Sequence, residues 1–166
     1  VETRYFCADS HQKDQPKAKP ADDEERTPVE LAAMAVDQLV ARRTQGDILI
    51  FMPTEQDIRE TCETLAGRHF QQTLILPLFA RLSAAEQRKV FANTAARKII
   101  VATNVAETSI TIPGIKYVVD TGLARISRYV PRSRTTALPV VPISRSSADQ
   151  RKGRCGRVRN GVCIRL

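Results

Sequence analysis

DILIFMPTEQDIRETCETLAGR, residues 47–68, and the TLILPL run at 73–78 decide the fold. DILIFM is apolar throughout after its first residue, too short for a helix and without the alternation of a half-exposed strand. Such a run is a strand covered on both faces. TEQDIRETCETLAGR (54–68) then reads as a helix capped by Thr54 and closed near Gly67, and TLILPL returns to strand. The alternation continues on both sides. Upstream, TPVELAAMAVDQLVARR opens with Thr27 as N-cap, Pro28 at the first helical position and Glu30 three residues on. It places Leu31, Met34, Ala35 and Leu39 on one face. Downstream, SAAEQRKVF (83–91) is a helix capped by Ser83, with Glu86 completing a capping box. KIIVAT (98–103) and KYVVDTG (116–122) are strands joined by a structured loop. Buried strands interleaved with helices predict an α/β fold, three layers with a mostly parallel sheet between helices.

Residues 124–144, ARISRYVPRSRTTALPVVPIS, break that rhythm. Two β-prone runs flank Pro131–Arg134 with no helical segment, which predicts a β-hairpin projecting from the sheet. Arg125, Arg128, Arg132 and Arg134 lie on it without an acidic neighbour. A basic edge that only discourages strand-to-strand aggregation is the alternative.

At 166 residues the chain fits one domain, on a prior of roughly 100–200 residues each. Residues 1–27 are expected to form an N-terminal strand and a polar loop, the loop (8–27) being rich in charge and proline; residues 28–166 form the domain proper. The formal net charge of +8 is unevenly spread. Residues 1–40 hold 5 basic and 9 acidic side chains, residues 41–100 hold 9 and 6, and residues 101–166 hold 12 and 3. A positive field concentrated in the last third suits a polyanionic partner.

No apolar run approaches the roughly 18 residues needed to cross a bilayer, and VETRYFCADS lacks a signal-peptide pattern. A cytoplasmic protein with no membrane partner is expected. Cys7, Cys62, Cys155 and Cys163 form no CxxC pair, and His11 and His69 are far apart, so free thiols and no metal site are expected.

Two segments carry chemistry. QRKGRCGR (150–157) follows Ser146 and Ser147, which suit an N-cap, and reads as a short helix with Gln150, Arg154 and Arg157 on one face. Gly153 and Gly156 cost a helix about 1 kcal/mol each relative to Ala, and so call for close approach of a backbone or ligand. Two converging guanidiniums can clamp a phosphate chain bidentately and neutralise charge at a γ-phosphate. A solvated basic helix is the bland alternative. TNVAETSITIPGI (103–115) sits at the carboxyl end of a strand, where open α/β sheets bind ligands. Thr103, Asn104, Ser109 and Thr111 are therefore expected at a crevice, offering short donors to a sugar-phosphate backbone. A plain cap and turn would use the same residues.

In this order and spacing, IFMPTEQDI (50–58), TNVAETSITIPGI and QRKGRCGR resemble motifs IV, V and VI of the second RecA-like domain of DEAH-box ATP-dependent RNA helicases of superfamily 2, most closely the bacterial HrpA type. The resemblance runs from about Gly46 to the last residue. It implies that Arg154 and Arg157 act as arginine fingers and that Gln150 lies near the γ-phosphate or attacking water of ATP. It makes Phe91 the aromatic that stacks on adenine, although beside Val90 at a helix end Phe91 reads from the residues alone as core. It puts Thr103 and Asn104 on the RNA backbone, Ser109 and Thr111 between the RNA and nucleotide sites, and the basic hairpin with its four arginines against RNA as a wedge or guide; DNA is left open.

Pro113 stands where many relatives have an acid that reaches the ribose, Cys155 where Ala is usual, and Thr54 where Gly is frequent. The chain contains no G-x-x-x-x-G-K-[ST] loop and no DEAH tetrapeptide. ATP and Mg²⁺ are thus expected to be held mainly by the first RecA-like domain of a longer chain, which would continue into winged-helix and further domains; the isolated segment is expected to be inactive. A stand-alone basic RNA-binding module without catalysis is the other reading.

Overall fold

The computed structural model describes residues 1–6, 26–157 and 160–166. Strands β1 (Glu2–Tyr5), β2 (Asp47–Phe51), β3 (Thr73–Leu78), β4 (Arg97–Ala102), β5 (Ile115–Asp120) and β10 (Val162–Arg165) form one parallel sheet in the order β1-β10-β5-β2-β4-β3. Helices α1 (Pro28–Ala41), α2 (Glu55–Ala66), α3 (Ala84–Phe91) and α4 (Arg145–Lys152) pack around it. The short strands β6 (Leu123–Arg125), β7 (Arg128–Val130), β8 (Thr135–Ala137) and β9 (Val140–Pro142) lie outside the sheet. This is the expected α/β architecture.

The central strand explains the three layers. Ile48, Ile50 and Met52 pack with α1 and α2 residues such as Val36 and Ile58, while Leu49 and Phe51 pack on the other face with Val90 of α3, Cys155 and Cys163. Each face of the strand finds a core, so the run can be apolar at every position. Most of the polar loop expected at 8–27, with Cys7 and His11, lies outside the described residues. Among the described residues no helix is long and apolar enough to cross a membrane.

The helix starts follow their caps. Thr27 Oγ1 accepts from the Glu30 N–H (3.2 Å) and the Glu30 carboxylate accepts from the Thr27 N–H (2.9 Å), a complete capping box. At Ser83 the box is incomplete, because the Glu86 carboxylate accepts from the Ser83 hydroxyl (3.0 Å) instead of its backbone N–H. The apolar face of α1 is also rotated from the one expected. Val29, Ala32, Ala33, Ala35, Val36 and Leu39 are buried and Leu31 and Met34 only partly so, because the small alanines let the helix lie close to the sheet.

The segment after β5 is the expected hairpin in two tiers. β6 pairs with β9 and β7 with β8, both antiparallel and in one continuous register, Leu123 facing Pro142 and Val130 facing Thr135. Between the tiers the Ile126 N–H donates to the Pro139 carbonyl (3.1 Å). Pro139 has no N–H to return, so the ladder breaks there.

Candidate functional site

Because β4 and β5 are parallel, the Thr103–Gly114 connection must recross the sheet from the carboxyl end of β4 to the amino end of β5. Buried Ala106 and Ile112 pin it to the α3 face, and Asn104–Ala106 form a 3₁₀ turn. Its two ends therefore serve different places. At the carboxyl ends of β2, β3 and β4 lies a cleft of about 620 Å³ whose lining includes Thr54, Arg59, Arg81, Thr103, Asn104 and Arg125. At the amino ends of β2 and β5 lies another, of about 650 Å³, lined among others by Gln45, Gly46, Thr111, Pro113, Arg154 and Arg157. The expectation of one crevice for Thr103, Asn104, Ser109 and Thr111 is corrected accordingly: Thr103 and Asn104 line the first, Thr111 the second, and Ser109 is exposed on the connection and lines neither.

The arginine cleft forms just beyond α4. That helix is capped by Ser144, whose Oγ accepts from the Ser147 N–H (3.1 Å), and not by Ser146 or Ser147. It ends at Lys152 with Gly153 as its C-cap, so Arg154 and Arg157 lie in the following turn and not on a helix face with Gln150. Gly156 takes the left-handed φ of 80°. The close backbone approach is a requirement at Gly161, which the sequence reading did not single out, because a Cβ there would lie 2.5 Å from the Gly156 backbone nitrogen, whereas a Cβ on Gly153 would meet only carbonyls of its own helix at 3.3 Å and 3.4 Å. On the opposite wall Gly46 has φ 110°, and a Cβ there would lie 2.7 Å from Cβ of Lys116.

Arg154 donates from Nη1 to Thr111 Oγ1 (3.3 Å) and from Nε to the Gln150 carbonyl (3.4 Å). Among the described residues no carboxylate lies within ion-pair distance of Arg154 or Arg157. Burial, and next the charge of Arg157, hold the Arg154 guanidinium below its ordinary pKa. Two neighbouring cations without an acid are a fit for a polyphosphate. Among the described residues there is no carboxylate-rich cluster suited to a metal ion. The Gln150 side chain is exposed and outside the cleft lining; Phe91, 42% exposed at the end of α3, is likewise outside it and is not a core residue. The core goes to its neighbour Val90, fully buried.

Arg151, in the same segment, escaped the sequence reading. None of its surface is exposed. Its Nε donates to Glu107 Oε2 (3.0 Å), Nη1 to Asp120 Oδ1 (2.8 Å) and Nη2 to the Leu123 carbonyl (3.1 Å), and its guanidinium lies 4.7 Å from the centroid of the Phe51 ring. One side chain thus ties the recrossing loop, the end of β5 and the root of the hairpin to the helix before Arg154. Asp120 Oδ1 also accepts from the Gly122 N–H (2.9 Å), which shapes that root.

The hairpin arginines are divided. Arg125 lines the carboxyl-end cleft with Leu138, to whose carbonyl its Nε donates (3.1 Å). Arg128 is exposed on β7 in the second tier, and Arg132 and Arg134 are exposed in the tip turn, Arg134 with φ 51°. Exposed Val140 stands directly opposite Arg125 in the first tier, and exposed Tyr129 lies in the second.

The helicase conserved C-terminal domain family matches residues 32–159. The whole chain is 52% identical over 166 residues to ATP-dependent RNA helicase HrpA of Escherichia coli, covering 12% of that protein. Over 132 residues, 80% of the chain, it is 59% identical to the HrpA homolog of Haemophilus influenzae, covering 10% of it. Among solved structures, E. coli DExH-box NTPase HrpB superposes over 100% of the chain and 19% of its own, with TM-score 0.82 and 35% identity. The chain thus spans a small part of these relatives, and its fold is that of a RecA-like helicase domain with added antiparallel hairpin strands.

Proposed function

The chain belongs to the helicase conserved C-terminal domain family, and from that premise we propose that it is the second motor domain of a DEAH-box ATP-dependent RNA helicase. The observation that carries this reading is the pair of clefts joined by one recrossing loop. In the amino-end cleft Arg154 and Arg157 face a nucleoside triphosphate and stabilise the charge that gathers on the γ-phosphate as its bond to the β-phosphate breaks. Thr111, bonded to Arg154, orients that guanidinium. Gln150 acts near the γ-phosphate or attacking water, Ser109 and Thr111 carry the link between the sites, and Phe91 stacks on the adenine. The first RecA-like domain brings the phosphate cradle and the carboxylates for Mg²⁺, which the described residues here do not offer.

In the carboxyl-end cleft Thr103 and Asn104 donate to the backbone of single-stranded RNA. Arg125 flanks them, and Arg128, Arg132 and Arg134 extend the positive surface along the hairpin. The names of the relatives, two of them RNA helicases, support RNA as the track.

The test is ATP hydrolysis by the full-length protein with and without RNA. Turnover that RNA accelerates is the expected result. RNA binding with no turnover under either condition would favour the alternative, a basic RNA-binding module without catalysis.

A further inference from the structure

Lys98, on β4, shares a strand face with Ile100 and Ala102 and runs beneath the end of α3, with only 7% of the residue exposed. Its ammonium donates to the Val90 carbonyl (2.8 Å) and to the Ala92 carbonyl (3.1 Å). These residues flank Phe91. The Val90 carbonyl belongs to the last turn of α3, at the negative pole of the helix, and the Ala92 carbonyl to the extended residue that follows it. A buried ammonium is costly unless its protons are taken up, yet among the described residues no carboxylate lies within ion-pair distance of Lys98. Its hydrogen bonds go to the backbone on both sides of one aromatic residue.

The side chains on that stretch complete the picture. Val90 is fully buried and anchors the turn from the core, and Ala92 leaves the helix in an extended conformation with φ −65° and ψ 136°. Between two fixed residues Phe91 turns its ring outward, 42% exposed, where a large apolar side chain is disfavoured unless something covers it. We infer that Lys98 is a positioning residue for nucleotide binding: it clamps the backbone on either side of Phe91 and so presents the ring at a fixed angle to the base. The inference rests on the reading of Phe91 as the adenine stack and adds to it a residue with no contact to the nucleotide.

A double-mutant cycle in the full-length protein tests both layers, read as the Kd of a fluorescent ATP analogue together with KM and kcat for ATP. Phe91→Ala should weaken nucleotide binding about tenfold, the size of one base–aromatic stack. Lys98→Met, which keeps the length of the stem and removes the donors, should raise Kd and KM about three- to fivefold, part of that stack. It should change kcat and RNA affinity less than about twofold, a split that general loosening of α3 would not produce. In the Lys98→Met/Phe91→Ala double variant Kd should match that of Phe91→Ala alone, because the clamp acts only through the ring. If Lys98→Met does not fold, Lys98→Leu, which also removes the donors, takes its place in the same cycle. Normal nucleotide affinity in Phe91→Ala would overturn the stacking reading. Weakened binding in Phe91→Ala, with no effect of Lys98→Met or with an effect that adds in the double variant, would overturn the role of Lys98 alone.

Discussion

Arg151 lies between Glu107 and Asp120 with no exposed surface, so loss of the guanidinium strands two carboxylates in a low-dielectric interior. Arg151→Ala should cost about 3–5 kcal/mol of stability, read as a lower urea midpoint. Arg154→Ala, at a half-buried side chain without an acid partner, should cost less than about 1 kcal/mol. The contrast marks the limit of what spacing can reveal. QRKGRCGR identifies a cluster of guanidiniums, but which of them faces inward depends on carboxylates 44 and 31 positions away. A signal was present: Glu107 is the only acid between Lys98 and Val119 and the only charged residue between Lys98 and Lys116. Phe91 was likewise ambiguous, because a helix end leaves two adjacent apolar residues on diverging faces. Among the thiols, burial pushes Cys163 up to about 11, helped by the charge of Asp120, and burial pushes Cys62 up to about 11, helped by Glu63. Unfolded thiols ionise near 9.0 and the folded ones near 11, so the stability these groups contribute is complete below the first value and lost as pH rises to the second. The urea midpoint should fall across that window, and Cys62→Ala with Cys163→Ala should flatten the fall.

The elements most legible in the sequence were those with caps and turn chemistry close at hand. Thr27, Thr54 and Ser83 each accept from the N–H three residues on, as expected. The hairpin was legible from its two β-prone runs, and its break was not, because it depends on which strand residue meets Pro139. The extent of α4 was misread because an i, i+4, i+7 argument presumes a continuous helix, whereas Gly153 closes this one after Lys152. At this scale the hairpin gives a quantitative prediction. If Arg132 and Arg134 in its tip meet RNA phosphates, replacing both with Ala should flatten the slope of log K against log salt by up to about 1.4, at about 0.7 per contact on a single strand. Unwinding should fall more than RNA-stimulated ATP hydrolysis does. Arg134→Gly offers a check on folding, since φ 51° suits glycine and removal of the charge should not loosen the turn. An unchanged salt slope with normal unwinding would leave the hairpin as a charged edge.

For the molecule as a whole, fold class followed from strands apolar on both faces, but strand order did not. That order sends the Thr103–Gly114 loop from one end of the sheet to the other, and only then do Thr103 and Thr111 separate into two clefts. The residues expected at one crevice are therefore divided between two. On the proposed reading the 166-residue chain by itself should not hydrolyse ATP, because it would supply one wall of a nucleotide site and carries no G-x-x-x-x-G-K-[ST] loop; turnover by the pure chain would contradict the reading of it as one motor domain of two. The central claim is that Arg154 and Arg157 serve the chemistry and not the RNA track. Its most direct test is kcat for ATP, measured beside RNA affinity, in full-length Arg154→Ala and Arg157→Ala. Each should lower kcat by about 10³ or more, the size of an arginine-finger effect, with RNA affinity within about twofold of the parent. Intact kcat with weakened RNA binding would contradict the claim and assign that arginine to the track.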